Sequence, residues 1–325
     1  MWPFDYFKRQ KEEKEEVRAI TLEFLQNAIF GGGVSEKEAM EIPSVVACIN
    51  YIGDRVAMTP VRLFQKKGGK TEEIVTDRRV RLLNNEPSEL YTAGLFKKML
   101  AKDYLLYGEC YAAMEKRGNQ VESLYYLSPW NVTQAHSEKA IGRQVRYWVQ
   151  GREIAPENLF RSFSISEKGV SGKGLLQTNG ELLAAAYNGM LFQKILLQRQ
   201  GRKNGYLYLD NGKITAEALT ELKEKWGKLY NGDGTEKMVL NAGVKFQEIS
   251  STPAEMQIVE MQKQTESSIY KALCVPPAIL EGTATLEQEE MTFRTAVLPV
   301  IKALENACNK YLLREREKKH IFLFL

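Results

Sequence analysis

Cysteine and histidine are scarce: four cysteines stand at positions 48, 110, 274 and 308 and two histidines at 136 and 320, in 325 residues. No Cys-x-x-Cys pair occurs, so a structural zinc site is not expected and no metal or other cofactor is implied. Each cysteine has apolar neighbours, as in Val46-Ala47-Cys48-Ile49 and Ala272-Leu273-Cys274-Val275, which predicts reduced, buried thiols of an intracellular protein. Long apolar runs are lacking too. Nothing approaches the roughly 18 residues a membrane helix needs, so no membrane partner is expected. The start, Met1-Trp2-Pro3-Phe4 followed by Lys8 to Lys14, is charged where a signal peptide carries an apolar stretch, and secretion is not expected. Nor does one sign of charge dominate. The 45 Lys and Arg against 41 Asp and Glu give a net +4 and a pI near 8.6, which permits a nucleic-acid partner without demanding one.

What is present is an ordinary globular composition, 44% hydrophobic and 26% charged, in a chain long enough for about two domains. Residues 1–39 read as an N-terminal arm of mixed charge with a flexible break at Gly31-Gly32-Gly33. Val45, Ile49, Ile52 and Val56 mark a helix that stops before Thr59-Pro60, and Val61 to Phe64 reads as a strand. Phe96, Leu100, Tyr104 and Tyr107 mark a second helix beginning at Thr92. Short β-like runs follow at 111–114, 121–127, 131–135, 144–149 and 159–165, so 40–170 reads as an α+β domain.

The pattern then turns helical. A long helix is predicted over Leu175 to Gln200, within a segment 171–200. An insert, 201–250, follows, with a strand at Tyr206 to Leu209, a turn at Asn211-Gly212, a helix at Ala216 to Tyr230, and a hairpin of Lys237 to Leu240 with Val244 to Ile249. A second helix, Ala254 to Leu273 within 251–273, is polar on most faces, as a helix facing a wet cavity would be. A loop, 274–285, leads into 286–325, where Leu286 to Leu313 carries the clearest stripe and Pro299 predicts a kink. The strand Ile321 to Leu325 has no evident partner.

Catalytic patterns fail individually. Gly169 to Gly174 resembles a phosphate loop, but Glu167 stands where the Walker pattern needs glycine and Gly174 where it needs Ser or Thr. A tight turn and helix start explain these glycines without a ligand. Gly-x-Ser-x-Gly does not occur, and neither histidine belongs to a nucleophile pattern. Glu287, Glu289 and Glu290 fit favourable charge at a helix N-terminus. Between Glu181 and Asp210 no acidic residue occurs, while Lys194, Arg199, Arg202 and Lys203 mark a helix end and the turn after it, consistent with either helix-dipole complementarity or phosphate contact.

The order of several motifs resembles the portal protein of tailed double-stranded-DNA bacteriophages of the Hong Kong phage type. Val45-Val46-Ala47-Cys48-Ile49 through Pro60 to Phe64 looks like that family's opening block, and Leu82-Leu83-Asn84 to Pro87 like its Leu-Leu-Asn turn, with Ser88 for asparagine. Leu105 to Ala112, around Gly108, and Tyr126 to Val132, around Pro129, are similar to further blocks. Gly172-Lys173-Gly174-Leu175-Leu176 stands where the family often has Gly-x-Ser-Pro-Leu, and Cys274 to Leu280 matches its Pro-Pro turn, with Glu287 to Phe293 and Leu298-Pro299 completing the set. The likeness covers about residues 40 to 315. The family's usual histidine before the glycine block is replaced around Phe160-Arg161, and members normally continue beyond position 325.

This resemblance implies an α+β portal-like subunit without catalytic residues, in a ring of twelve copies at one capsid vertex. Double-stranded DNA would pass through it. The implied partners are the terminase large subunit, the major capsid protein and neck adaptor proteins, and the implied location is the virion, after assembly in the host cytoplasm. It makes 40–170 a wing, 171–200 and 251–273 stem helices, 201–250 a clip, 274–285 a tunnel-type loop, and 286–325 a kinked helix leading to a C-terminal wing strand. Candidate DNA-channel residues are Lys194, Arg199, Arg202, Lys203, Gln257, Lys263, Gln264, Thr283 and Thr285. On the insert helix Glu221, Lys225 and Lys228 are candidates for partner docking and Trp226 for packing within the ring. Two other readings stay open: a phosphate- or nucleotide-handling enzyme around Gly169 to Lys173, and a monomeric scaffold or adaptor.

Overall fold

The computed structural model describes residues 33–118, 120–136, 145–166, 169–198, 205–209, 220, 244–248 and 252–325. The chain divides into two compact units, one of Met1–Asn188 with Thr265–Leu325 and one of Gly189–Gln264.

The first unit is built on a helix pair. Helix α1 (Glu36–Ala39) opens with a capping box between Ser35 and Glu38. Helix α2 (Pro43–Met58) starts with proline in its first turn and buries Val45, Cys48, Ile49, Ile52 and Val56 along one stripe. After β1 (Arg62–Lys67), the Gly68-Gly69 turn, β2 (Lys70–Glu73) and α3 (Arg78–Asn84) comes α4 (Ala93–Leu106), capped by the Thr92 hydroxyl. Helix α4 lays Phe96, Leu100 and Leu106 against α2. Each such side chain, fully buried, contributes about 2 kcal/mol of transfer free energy. At the seam Lys97 is buried and donates from Nζ to the Thr59 carbonyl at 2.7 Å.

Strands β3 (Glu109–Arg117), β4 (Gln120–Leu127), β5 (Val132–His136), β6 (Val145–Val149), β7 (Arg152–Ile154) and β8 (Leu159–Phe163) form two antiparallel sheets, ordered β4-β3-β8 and β5-β6-β7. Tyr111, Tyr147 and Leu159 make a small second core between them. The fold class is α+β, as its sequence suggests.

Several expectations need correction. The helix predicted over Leu175 to Gln200 is interrupted: α5 (Leu175–Thr178) ends at Asn179, whose backbone (φ −129°, ψ 27°) leaves the helical region, and α6 (Gly180–Gln198) starts afresh. The helix predicted over Leu286 to Leu313 runs without a break from Leu286 to Tyr311, with a π turn inside it ahead of Pro299. Helix α9 (Leu286–Thr292) passes into a π turn (Phe293–Val297), in which Leu298 N–H reaches back five residues to the Phe293 carbonyl, and α10 (Leu298–Tyr311) follows with Pro299 in its first turn. The wider turn takes up the discontinuity ahead of proline, which has no N–H to donate.

The terminal strand does have a partner. Strand β11 (Ile321–Phe324) pairs antiparallel with β1, Leu323 opposite Leu63, completing a sheet ordered β11-β1-β2. Cys48, Cys110 and Cys308 are buried, but Cys274 is exposed. Its positive φ of 54° ends α7 (Thr252–Ala272) before α8 (Pro277–Leu280), a task glycine usually performs.

In the second unit β9 (Gly205–Leu209) pairs with β10 (Val244–Glu248). Residues 1–32 of the predicted arm at 1–39, the strand Lys237 to Leu240 and, except for Thr220, the insert helix lie outside the described residues, while the end of that arm, 33–39, carries α1 with Ala39 buried in the first unit's core.

Candidate channel segment and the motif joints

The family-like motifs are the joints of the first unit. Gly108 follows α4 at φ +75°, and its carbonyl accepts Ser164 N–H at 2.7 Å. Gly172 and Gly174 press directly on that turn: a Cβ on Gly172 would lie 1.8 Å from the Gly108 carbonyl oxygen, and one on Gly174 would lie 2.2 Å from the Gly108 nitrogen. Two motifs 64 residues apart are therefore halves of one backbone crossing that only glycine permits.

The crossing also bears on the phosphate-loop reading. Gly169 N–H donates to Ser166 Oγ, Gly172 N–H to Glu109 Oε2 at 3.1 Å, Lys173 N–H to the Ile165 carbonyl, and Gly174 N–H to Gln177 Oε1. These four donors are engaged within the chain, one of them by a carboxylate whose pKa burial raises.

Asn84 of the Leu-Leu-Asn motif clamps Val61, accepting from its N–H and donating to its carbonyl, both at 2.8 Å. The Pro87 carbonyl accepts Leu124 N–H, tying that turn to β4. At the Pro-Pro motif Val275 is fully buried and its N–H returns to the Tyr270 carbonyl at 3.0 Å. None of these side-chain tasks was predicted from sequence.

Beside α4 lies a polar cluster that sequence reading also missed. Glu36 of α1 accepts hydrogen bonds from Lys102 and from the Tyr107 hydroxyl, and Trp130 Nε1 donates to Tyr107. Burial alone would raise the Glu36 pKa, but the bonds from Lys102 and Tyr107 outweigh it and lower it. The adjacent Asp103 is fully buried, 3.5 Å from Lys102 Nζ, and burial pushes its pKa up to about 6.

Of the predicted channel residues, Lys194 on α6 and Lys263 and Gln264 on α7 are exposed, and all three belong to the second unit. In the same unit a Cβ on Gly189 of α6 would meet the Gln262 side chain of α7 at 3.4 Å, so these helices run in contact there. Thr283 and Thr285 are exposed in the first unit. Thr283 N–H closes the turn after α8 on the Ala278 carbonyl at 2.9 Å, and Thr285 forms a capping box with Gln288. Gln257 lies in α7. Arg199, Arg202, Lys203, Glu221, Lys225, Trp226 and Lys228 lie outside the described residues.

Immediately after this loop, α9 is exposed along nearly its whole length. Leu286 is 84% and Met291 68% exposed, and Thr292 alone is buried among its residues. Among the described residues no group of carboxylates, cysteines and histidines could hold a metal, and no helix is long and apolar enough to cross a membrane.

The described residues form an antiparallel α+β body, with a strand pair carried in the chain between two long helices. The chain belongs to the phage portal protein family, whose family model, described as "Phage portal protein", matches residues 43–324. It is similar to the probable portal protein of Streptomyces phage phiC31, 21% identical across 91% of this chain and 69% of that protein. Its fold is similar to the crystal structure of an HK97 family phage portal protein from Corynebacterium diphtheriae, with a TM-score of 0.68 at 17% identity over 90% of this chain and 95% of that one. A subunit from the neck of a native gene transfer agent particle, computed with C12 symmetry, gives a TM-score of 0.60 at 17% identity over 92% and 88% of the two chains.

Proposed function

We propose that this portal-family chain acts as a ring subunit at the capsid vertex of a virion, with double-stranded DNA passing through the ring in packaging and ejection. The observation that carries the reading is the family match over nearly the whole chain. The twelvefold neck containing a similar fold supports a ring of twelve. In this reading 40–170 with the terminal strand forms the wing, 171–200 and 251–273 the stem, 201–250 the clip and 274–285 the tunnel-type loop. Exposed Lys194, Lys263 and Gln264, with Gln257, Thr283, Thr285, Arg199, Arg202 and Lys203, face the channel. Polar side chains that DNA can slide past suit a conduit better than strong base-reading contacts would.

The ring itself performs no chemistry in this reading, and terminase supplies the motor. Assembly belongs to the host cytoplasm, with the major capsid protein around the ring and neck adaptors joining later. Glu221, Lys225 and Lys228 serve docking, and Trp226 serves packing between copies. Native mass spectrometry and negative-stain imaging of the purified protein test the assembly. A closed ring is expected, and a strict monomer at micromolar concentration counts against it. ATP hydrolysis abolished by Lys173→Ala would instead favour the enzyme reading, which the engaged glycine N–H groups already disfavour.

A further inference from the structure

Between β6, β8 and α10 lies a cavity of about 380 Å³ that the proposed channel does not use. Its polar lining is Tyr147, Arg161, Ser162, Asn306, Lys310 and Tyr311, and the rest is apolar or glycine, with no carboxylate among the described residues. The Arg161 guanidinium sits between two rings, 4.7 Å from the centroid of Tyr147 and 4.9 Å from that of Tyr311. One of its nitrogens donates to the Pro156 and Leu159 carbonyls, at 3.0 and 3.4 Å, and it hydrogen-bonds Tyr147 as well. The plane of the fork is thus fixed. Lys310 is exposed at the rim, its Nζ 5.3 Å from the Tyr311 ring. Among the described residues neither cation forms an ion pair with a carboxylate, whereas Arg79 in the same unit has two.

We propose that this cavity is a carboxylate-binding site for an acidic side chain of a partner protein. A planar guanidinium held in one orientation matches the two oxygens of a carboxylate, and a second cation at the rim adds attraction at encounter. Duplex DNA is the poorer occupant. It is bound by rows of exposed cations that follow its closely spaced phosphates, and here the principal cation is recessed between two rings and has a single companion. The inference stands apart from the conduit reading, because the pocket lies in the first unit and uses none of the channel candidates.

The test uses the full chain and a capped peptide of alternating glutamate and glycine, followed by calorimetry, beside its glutamine counterpart, inorganic phosphate and a short DNA duplex. Saturable binding of the glutamate peptide, once per subunit, is expected. It should weaken about tenfold or more with the glutamine peptide, with Lys310→Glu and with Arg161→Lys, which keeps the charge and loses the fork. Lys310 is exposed, so Lys310→Glu decides the matter even if Arg161→Lys does not fold. Equal binding of both peptides, indifference to Lys310→Glu, or tighter binding of phosphate or duplex overturns the proposal. So does a gain in affinity on changing both Glu138→Gln and Glu167→Gln, which would assign the pocket to the chain's own carboxylates.

Discussion

The crossing at Gly108 and the exposed helix α9 are opposite kinds of structure in one unit. At the crossing the N–H groups of Gly172, Lys173 and Gly174 have partners in the chain and glycine is required by contact. In α9 a leucine and a methionine stand in solvent beside three glutamates, and the helix is held by its Thr285 cap and the π turn rather than by packing. The first sequence makes sense for an isolated subunit. The second makes sense where another surface covers it, since exposed apolar side chains gain nothing in water.

The strongest test of this contrast is Gly172→Ala. The new Cβ would have to displace the Gly108 backbone, so a loss of about 4 kcal/mol or more and little folded protein are expected, read by soluble yield and circular dichroism. Gly180→Ala, where a Cβ meets nothing within 4 Å, should change stability by less than about 1 kcal/mol. Equal effects at the two glycines would remove the distinction.

Asp103 comes next. Its folded pKa, about 6, lies above the unfolded value near 3.9, so the folded state holds a proton that the unfolded chain releases. Its contribution is complete below about pH 4 and is lost as pH rises through about 6, at most roughly 3 kcal/mol. Asp103→Asn should match the parent near pH 4 and exceed it near pH 7 in urea unfolding. The lowered carboxylates Asp77 and Glu317 give the opposite slope in both proteins and cancel in the difference, whereas Glu36, whose charge helps raise Asp103, is coupled to it. A difference that is flat with pH would overturn the assignment.

Asn309→Ala should cost about 2 kcal/mol in thermal unfolding, because it strips the N–H and carbonyl of Leu323 of their partners. The smallest expected effect is at α9. Leu286→Ser with Met291→Ser should shift the unfolding free energy by less than about 0.5 kcal/mol, yet reduce the ring fraction in native mass spectrometry if copies meet there. A marked loss of stability would mean that the helix is held internally after all.

Local pattern revealed much of this fold. The stripe of α2 and the Thr92 start of α4 follow from spacing and cap chemistry, since each depends on residues a few positions apart. The β1–β11 pairing was hidden because its partners lie about 260 positions apart and each alone is a short apolar run. The clamps by Asn84 and Asn309 were hidden because an asparagine at a helix end reads as an ordinary terminator. Cys274 reads as buried from its neighbours, yet its left-handed backbone turns the side chain out. The polarity of α7 made exposure of Lys263 and Gln264 legible, whereas Arg161 and Lys310, 149 positions apart, gave no sign that they share a cavity.

The outer margin of β11 carries a consequence for self-association. Its outward N–H groups are answered by the same chain: Ile321 N–H by the Glu317 carbonyl, Leu323 N–H by the Asn309 amide, which also donates to the Leu323 carbonyl, and Leu325 N–H by Glu305. The opposite margin, β2, shows Lys70, Glu72 and Glu73 to solvent. The partnered N–H groups of β11 and the charged side chains of β2 both work against a second molecule adding strand on strand. A subunit that joins others in a counted, closed number is thereby protected from the open-ended fibre that an aromatic strand such as Ile321-Phe322-Leu323-Phe324 would otherwise invite.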